Sequence, residues 1–395
     1  MGKRKLAIIG GGSAGLALAC FLDSGLYDVT IYERNVAVGR KFLVAGKGGF
    51  NLTHSEHMDS LIQRYAPEQC MNLPLSAFTN EHFRAWLLSI GIPTFVGSSG
   101  RVFPVRGTKP IEVLNAITDV LSNKRVVIEN RMMWMGWNQE GNLLFENGTI
   151  ISPDVTVFAL GGASWQRTGS DGVWLPIFQK RQIPTTPFEP ANVGYLIAWP
   201  DDFINKCEGL PLKNIAVRTQ KLKKLGELLI TKKGLEGSAI YYLTDKISSQ
   251  LREVGEAQVY IDLKPSISMS RMKEKLKLHH GSKSDFLRSV VKLEPTKIML
   301  LKSYLSKEQY LDDRIMIQSI KALPLKITGT DVMDKAISTV GGVCSKIMSD
   351  DYQITELKDT YAIGEMLDWN APTGGYLLQA CFSMGYHLAS LLNCK

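Results

Sequence analysis

The feature that most constrains the fold is a glycine-rich turn between a short apolar strand and a helix near the N-terminus. Leu6 to Ile9 form an apolar run that leads directly into the sequence GGGSAG at residues 10–15. A helix-period run and a second strand follow, and that strand ends at Glu33, 18 residues after the last glycine. This spacing of strand, G-x-G-x-x-G turn, helix and acid is typical of a βαβ unit that binds a dinucleotide.

Each glycine of that turn pattern has a predicted physical role. Gly10 allows the tight turn, Gly12 lets the backbone approach a pyrophosphate, and Gly15 lets the helix pack against the strand. The N-terminus of the helix faces phosphate. The carboxylate of Glu33 is expected to bind a ribose hydroxyl. The cofactor-binding residues predicted from this unit are Gly10, Gly12, Ser13, Ala14, Gly15, Glu33 and Arg34.

Two alternatives account for parts of the same segment. A tight strand-to-helix turn uses glycines with or without a ligand. Residues 3–5, KRK, and the apolar run up to Leu22 also resemble the charged and hydrophobic parts of a signal peptide. Three consecutive glycines inside that run fit a phosphate turn better, so the segment is predicted to belong to the folded protein.

The composition indicates a globular protein with more than one domain. A chain of 395 residues is long enough for two or three domains, and its 45% hydrophobic and 21% charged content is that of a soluble protein. No other run approaches the ~20 apolar residues that span a bilayer. The six cysteines are scattered, with no C-x-x-C and no close pairing with histidine. We therefore predict no metal site, no membrane partner and a cytoplasmic location.

The net positive charge is concentrated in the middle third of the chain. Between Glu189 and Lys326 there are 24 Lys and Arg against 16 Asp and Glu, whereas the remainder balances at 22 against 22. A solvated helix face rich in lysine is the favoured explanation. A basic surface also attracts nucleic acid or an anionic substrate, so a nucleic-acid partner is kept as an alternative.

The apolar periodicity changes twice along the chain. Short strands alternate with helices in the first part, and the last part returns to this pattern. In the middle part of the chain, hairpin-like segments are followed by a series of consecutive helices without strands. We predict an α/β fold whose discontinuous Rossmann-like domain covers residues 1–187 and 331–395, with an inserted β subdomain at 188–263 that returns at about 322–330, and a helical subdomain at 264–321. The ends of the insertion are expected to lie close together.

Two segments near the C-terminus supply further contacts to the same ligand. Residues 360–365, TYAIGE, read as an apolar strand ending in a glycine and an acid, and residues 373–375, TGG, precede a helix. A strand-end carboxylate binds hydroxyl groups, and a glycine-rich helix start offers N–H groups. Two separated contact regions imply a long dinucleotide such as FAD. The predicted contacts are Gly161 and Gly162 after another strand, and Gly364, Glu365, Thr373, Gly374 and Gly375.

The segment at residues 39–51 is predicted to lie beside the flavin ring. Its glycines permit close backbone approach, and its cations and amide suit an electron-accepting ring. A flexible surface loop is the alternative interpretation. The predicted cofactor contacts from this segment are Arg40, Lys41, Gly46 and Asn51.

Three long blocks of the sequence resemble the signature blocks of a bacterial flavoprotein family. They are VGRKFLVAGKGGFNLTHSE (residues 38–56), FALGGASWQRTGSDG (158–172) and AIGEMLDWNAPTGGYLLQA (362–380). The family consists of NAD(P)/FAD-dependent oxidoreductases and includes aminoacetone oxidase and a 3-dehydro-bile-acid reductase. The resemblance covers essentially the whole chain and is closer to a less characterised subfamily with the pattern A-G-K-G-G.

The resemblance implies an FAD-binding domain of the glutathione-reductase type, with the insertion covering the flavin ring and helping to form the substrate cavity. It carries over as flavin-site positions Gly10, Gly12, Gly15, Glu33, Arg40, Lys41, Asn51, Gly161, Gly364, Glu365 and Gly374. Many relatives have Arg-Cys before the asparagine, where this chain has Gly49-Phe50. A mechanism that needs that arginine or that thiol therefore does not operate here.

Together these features predict an enzyme that passes a hydride between a small organic substrate and flavin N5. Because no second G-x-G-x-x-G unit is present, NAD(P)H is expected only as a transient reductant bound against the flavin. The candidates for proton transfer are His54, Lys47 and Tyr376, and Tyr376 is also a predicted cofactor contact. A structural role is the alternative for the histidine. Two further classes stay open: a flavin-dependent RNA-modifying enzyme and a flavin-binding protein without catalysis.

Overall fold

The chain forms two compact units, each with its own hydrophobic core. The computed structural model describes residues 2–44, 50–220, 222–344 and 350–395. Unit 1 consists of Met1–Ala191 and Ile337–Lys395, and unit 2 of Asn192–Ala336. In the described ranges, every helix is too short or too polar to cross a membrane.

The helices and strands fall into three groups along the chain. The first segment of unit 1 contains β1 (Arg4–Ile9), α1 (Ser13–Phe21), β2 (Tyr27–Glu33), α2 (Arg40–Val44), β3 (Thr53–His54), α3 (Met58–Ile62), α4 (Gln69–Ala77), α5 (Asn80–Ser89), β4 (Thr94–Val96), β5 (Arg101–Pro104), α6 (Pro110–Asn123), β6 (Val127–Asn130), β7 (Trp134–Trp137), β8 (Leu143–Phe145), β9 (Ile150–Ile151), β10 (Val155–Phe158), α7 (Leu175–Lys180) and β11 (Thr185–Ala191). Unit 2 contains β12 (Tyr195–Leu196), α8 (Asp201–Cys207), β13 (Pro211–Arg218), β14 (Lys223–Thr231), β15 (Gly234–Glu236), α9 (Ser238–Tyr241), α10 (Thr244–Val254), β16 (Ala257–Asp262), α11 (Met269–Lys277), α12 (Lys283–Asp285), α13 (Pro295–Tyr304), α14 (Lys307–Leu311), α15 (Asp313–Lys321), β17 (Leu323–Ile327) and β18 (Gly329–Thr330). The second segment of unit 1 contains β19 (Ser338–Val343), β20 (Thr360–Ala362) and α16 (Tyr376–Asn393).

A five-stranded parallel sheet organises unit 1. Its order is β20-β10-β1-β2-β6, and every neighbouring pair is parallel. The central strand, β1, is buried from Leu6 to Ile9, which explains why this run is apolar without alternation. The chain passes from β1 to β2 and β6 on one side, then to β10 and β20 on the other. This is the strand order of a Rossmann fold, and the predicted fold class is confirmed.

Helix α1 is apolar on all sides because it is buried on nearly all sides. Every residue from Ala14 to Cys20 is buried, and α1 packs against both α16 and α6. Helix α16 is likewise buried at Phe382, Met384 and Leu388. The first and last parts of the chain therefore share one core.

Strands β11 and β19 mark where the chain leaves unit 1 and returns to it. They pair antiparallel, with Ala191 opposite Ser338, so the prediction that the ends of the insertion lie close together is confirmed. The junctions fall after Ala191 and before Ile337, whereas the sequence pattern predicts them at 187 and 331. The observed boundaries differ from the predicted ones because β11 and β19, which pair with each other, both belong to unit 1.

Unit 2 is built on a seven-stranded antiparallel sheet. Its order is β17-β16-β13-β14-β15-β12-β18, and helices α11 to α15 occupy residues 269–321 between β16 and β17. The sequence pattern predicts only hairpin-like segments before residue 263, and helices α8, α9 and α10 were missed. The apolar spacing of Leu243, Ile247 and Leu251, four residues apart, is the helical signal that identifies α10.

The end of β20 differs from the sequence prediction. The strand stops at Ala362, and Glu365 lies in a 3-10 turn over Gly364–Met366. Gly364 has a φ of +83°, a left-handed conformation that ends the strand before the acid.

Candidate cofactor site

A cavity in unit 1 lies at the C-terminal ends of β1 and β10. Ile9 and Gly10 line it at the end of β1, and Ala159, Leu160 and Gly161 line it after β10. The strand order reverses between these two neighbours, because β1 is followed by β2 on one side and β10 by β20 on the other. Ligands of open α/β sheets bind in the crevice at such a point.

The glycine-rich turn forms one wall of the cavity. Gly10 has a φ of +112°, and a Cβ atom there would overlap the carbonyl of Ala159. Gly12 precedes α1 with a φ of −83°, and a Cβ atom there would meet no atom within 4 Å. The first turn of α1 contains no acid, and no described side chain caps it. The first amide groups of the helix, at Ser13 and Ala14, therefore suit an anionic ligand.

Glu33 lies at the tip of β2, buried to 7% exposure. Its Oε2 accepts a hydrogen bond from the Gly11 amide at 2.9 Å, and its Oε1 accepts two from the backbone and side chain of Asn35 at 2.8 and 2.7 Å. A carboxylate has about four acceptor positions, so Glu33 holds the turn in place and still has capacity for a ligand hydroxyl.

Lys41 is held in a network of polar groups. Its Nζ donates to Glu365 Oε2 at 2.8 Å, to Ser164 Oγ at 2.8 Å and to Ser170 Oγ at 3.4 Å. The other oxygen of Glu365 accepts from the Thr339 amide at 3.2 Å. The charge of Lys41 is thus compensated inside the protein, and its position is fixed.

The two arginines at the cavity are also held by specific partners. Arg34 donates from Nη1 to both carboxylate oxygens of Asp171, at 2.8 and 2.7 Å. Arg40 donates to the side-chain oxygen of Asn35 at 3.1 Å. All four residues line the cavity, which therefore combines fixed cations with hydrogen-bond acceptors.

The structure brings eleven of the predicted cofactor residues to the cavity wall and leaves seven away from it. The residues that line the cavity are Gly10, Gly12, Ser13, Ala14, Glu33, Arg34, Arg40, Lys41, Asn51, Gly161 and Glu365. The predicted residues outside its lining are Gly15, Gly162, Gly364, Thr373, Gly374, Gly375 and Tyr376. Gly46 and the catalytic candidate Lys47 lie outside the described residues.

Helix α16 reaches the cavity through its first turns rather than through the preceding glycines. Leu377, Leu378 and Cys381 line the wall. Gly375 instead packs against the backbone of Thr53, where a Cβ atom would come within 2.6 Å. Burial, with a smaller effect of the Glu365 charge, raises the pKa of the Cys381 thiol to about 12, so this thiol is protonated at neutral pH.

Tyr376 and His54 form a packed pair beside α16. Their rings stack at 5.2 Å between centroids, and the Tyr376 carbonyl accepts a hydrogen bond from the Tyr65 hydroxyl at 2.8 Å. Nδ1 of His54 accepts from the Glu56 amide at 3.1 Å, and Nε2 lies 3.1 Å from the Ser99 carbonyl. Neither candidate lines the cavity, and this geometry gives both rings structural contacts.

Several cavity residues were not predicted from the sequence. They include Asn35, Met132, Met133, Trp134, Ser170, Asp171, Trp174, Trp369, Leu377, Leu378 and Cys381. Ser170 and Asp171 fall within one of the three signature blocks, so position in that block was an available signal. Trp134 lies outside the three signature blocks, so the sequence offers no comparable signal for it. The path of β7 in the folded chain brings this residue to the cavity.

The strand order and the cavity at its reversal define a dinucleotide-binding protein of the Rossmann class. Residues 4–391 match the family model described as the HI0933-like protein Rossmann domain. The chain therefore belongs to the HI0933-like family.

The curated relatives that match nearly the whole chain include a reductase and a synthase. The 3-dehydro-bile acid delta(4,6)-reductase of Clostridium scindens is 25% identical over 405 residues, covering 97% of this chain and 97% of that protein. A ribosomal RNA dihydrouridine synthase of Haemophilus influenzae is 25% identical over 399 residues, covering 97% of this chain and 96% of that protein. The prediction that this chain is an enzyme is confirmed at the level of the class, which is that of the FAD-dependent oxidoreductases.

The fold is also similar to that of a solved steroid dehydrogenase. The 3-ketosteroid delta1-dehydrogenase from Sterolibacterium denitrificans, solved with 1,4-androstadiene-3,17-dione, matches with a TM-score of 0.50 and 11% identity. The match covers 100% of both chains. At this identity the similarity concerns the fold alone.

Proposed function

We propose that this oxidoreductase holds FAD in the unit 1 cavity and transfers a hydride between flavin N5 and a small organic substrate, with a conjugated ketone as the first substrate class to test. The observation that carries the proposal is the cavity at the strand-order reversal, lined by residues 10–14 of the glycine-rich turn, Glu33 and Lys41. The substrate class is suggested by the relative from Clostridium scindens, whose name describes a delta(4,6)-reductase.

The polar groups of the cavity fit the parts of an extended dinucleotide. The uncapped start of α1 binds the pyrophosphate, because its first amide groups and the helix dipole favour negative charge. The remaining acceptor capacity of Glu33 binds a ribose hydroxyl. The open space beyond Gly12 gives the phosphates room to approach the backbone.

A second group of cavity residues fits the flavin ring. When bound, FAD supplies a ring nitrogen that accepts or donates a hydride. Lys41, fixed by Glu365, provides positive charge, while Asn51 provides an amide and Leu377 and Leu378 provide apolar surface. A fixed cation near the ring stabilises negative charge that develops during reduction. NAD(P)H is proposed as a transient reductant because the sequence has a single G-x-G-x-x-G unit.

An anaerobic titration tests the proposal. The purified protein is expected to contain FAD, and NADPH or NADH should bleach its visible absorbance. A conjugated steroid ketone should then restore the absorbance, whereas the saturated ketone should not. Gly12→Ser is the matched control. Its side chain fills the space next to the phosphates, so this variant should bind FAD more weakly while its fold stays intact. Purified protein that neither contains nor takes up FAD would refute the proposal.

A second candidate function is the reduction of a uridine in RNA. It is favoured by the relative from Haemophilus influenzae and by the excess of 24 basic over 16 acidic residues between positions 189 and 326. Helix α11 illustrates this excess, since Arg271, Lys273 and Lys277 are exposed while Met272 and Leu276 are buried.

RNA binding and product analysis distinguish the two candidates. The RNA hypothesis predicts that the protein binds ribosomal RNA at low salt, that affinity falls steeply with salt, and that NADPH-dependent dihydrouridine forms. Formation of dihydrouridine without turnover of conjugated ketones would favour RNA. FAD that is bound tightly but is reduced by neither nicotinamide nor substrate would favour a protein without catalysis.

A further inference from the structure

Trp134 lines the cavity and carries a buried hydrogen-bond donor. The side chain is 5% exposed, it lines the cavity, and its indole Nε1 has no hydrogen-bond partner among the described residues. A buried N–H group without a partner is unfavourable, and such groups are rare in folded proteins. A ligand acceptor at this position would remove that penalty.

The indole ring is fixed by aromatic neighbours, so it cannot turn its N–H group to solvent. Trp134 packs edge-on against Trp137 at 4.7 Å, and its ring lies 4.8 Å from Phe158 and 5.8 Å from Phe178. Its backbone position is set by the pairing with Phe145 across β7 and β8. The donor is therefore pre-organised before any ligand binds.

A second tryptophan in the same cavity shows the contrast. Trp174 also lines the wall, but its Nε1 donates to the carbonyl of Gly161 at 2.9 Å. Among the described residues, the Trp174 donor has a protein acceptor and the Trp134 donor has none. The difference singles out the Trp134 indole as a donor that no described protein acceptor uses.

The location of Trp134 indicates which part of the ligand it meets. Met132 and Met133, which follow β6 and precede Trp134 in the chain, line the same cavity, as does Arg34, which follows β2. Met132 donates its backbone amide to the carbonyl of Glu33 at 2.9 Å, so Trp134 lies two residues from a direct contact of the acid proposed to bind the ribose. Lys41 and Glu365, proposed to lie near the flavin ring, are joined to each other and make no hydrogen bond to this segment in the described structure.

We propose that the indole N–H of Trp134 donates a hydrogen bond to the adenosine half of FAD. The inference rests on the proposed FAD site and adds a residue that selects a dinucleotide over a flavin mononucleotide. Adenosine has ring nitrogens and ribose oxygens that accept such a bond, and FMN lacks this half. Loss of the bond should therefore weaken FAD and ADP without affecting FMN.

Binding measurements on full-length protein freed of flavin test the proposal. The variant is Trp134→Phe, and the matched control is Trp137→Phe, which removes a similar ring area from the same aromatic cluster outside the cavity lining. We expect Trp134→Phe to raise the Kd of FAD and of ADP about five- to tenfold, the effect of one lost hydrogen bond. The control should leave both constants within about twofold, and FMN binding should be equal in all three proteins.

The outcomes separate this inference from the proposed function. Wild-type protein that binds neither FAD nor ADP would overturn both. Wild-type protein that binds FAD, with equal ADP affinity for Trp134→Phe and its control, would overturn the role of Trp134 alone. Equal weakening of FMN and ADP by Trp134→Phe would also overturn it, because the effect would then lie in packing rather than in the adenosine contact.

A direct readout comes from the indole proton itself. In the wild-type protein, the Nε1–H resonance of Trp134 should shift and exchange more slowly with solvent when ADP is added, while that of Trp137 stays constant. A Trp134 resonance that does not respond to saturating ADP would contradict the hydrogen bond even if the affinities changed.

Discussion

The ammonium nitrogen of Lys41 lies 2.8 Å from a carboxylate oxygen of Glu365, joining residues 324 positions apart in the chain. Both side chains are partly shielded from solvent, at 30% and 16% exposure. Both line the proposed flavin end of the cavity. The ion pair therefore connects the segment after β2 to the turn after β20 and fixes a cation at the site.

Breaking this pair should destabilise the protein and weaken FAD binding. We expect a double-mutant cycle of Lys41→Met and Glu365→Gln to give a coupling of about 1–2 kcal/mol in the free energy of unfolding, more than an exposed ion pair provides. Chemical denaturation of the four proteins measures it. The exposed pair of Lys3 and Asp28, at 44% and 66% exposure, is the control, with an expected coupling below about 0.5 kcal/mol. Equal couplings would contradict a special role for Lys41.

Substitutions at Gly12 and Gly10 should differ in their effect on the free energy of unfolding. A side chain at Gly12 enters the open space beside α1, and serine also offers a capping hydroxyl, so Gly12→Ser should change the free energy of unfolding by less than about 0.5 kcal/mol. Its affinity for FAD should fall at least about tenfold, because the hydroxyl occupies the place of the phosphates. Flavin titration and chemical denaturation measure the two effects.

Gly10→Ala is the comparison for that variant. Its Cβ atom would overlap the Ala159 carbonyl, and its φ of +112° is unfavourable for alanine, so the fold should lose more than about 2 kcal/mol. A Gly12→Ser protein that unfolds as easily as Gly10→Ala would show that the Gly12 side of the turn is not open.

Tyr376→Phe should leave the chemical step nearly intact. The tyrosine does not line the cavity, and burial raises the pKa of its hydroxyl well above the usual range, with the nearby Glu56 carboxylate adding to the effect. We expect flavin reduction and reoxidation rates within about tenfold of wild type, since a catalytic acid or base contributes about 100-fold or more. Stopped-flow measurements check this. A step slowed by about 100-fold with unchanged substrate affinity would instead place the hydroxyl in catalysis.

The stability of unit 1 should depend on the protonation of His387. Burial lowers the pKa of this ring below its usual value of about 6.5, and its Nδ1 lies 3.0 Å from the Tyr352 hydroxyl. Because the unfolded chain binds the proton more readily, the contribution of the neutral ring is present above about pH 6.5 and is lost as the pH falls through the folded pKa.

Denaturation at about pH 5 and about pH 7.5 measures this effect. The wild type should lose stability between these values by more than His387→Gln does, and the exposed His57→Gln should behave as wild type. A pH dependence that is identical in His387→Gln and wild type would show that another group controls it.

Local sequence was sufficient for much of unit 1 because neighbouring residues set its early elements. The run from Leu6 to Gly15 contains a buried strand, a tight turn and a helix start in direct succession, each with its own residue preference. The placement of Glu33 at the end of β2 follows from the same short spacing. In unit 2 the helical stretch after residue 268 was also readable, whereas α10 was missed among hairpin-like segments.

The sequence by itself determined the βαβ unit that runs from Arg4 to Glu33 and its glycine-rich turn, because these depend on contacts within about 30 residues. Only the tertiary structure decided that Glu365 lies in a turn against Lys41, that Tyr376 stacks on His54 away from the cavity, and that the Trp134 indole lines it. Those positions depend on the packing of segments that are far apart in the chain, and the shape and polarity of that packing set where each side chain lies.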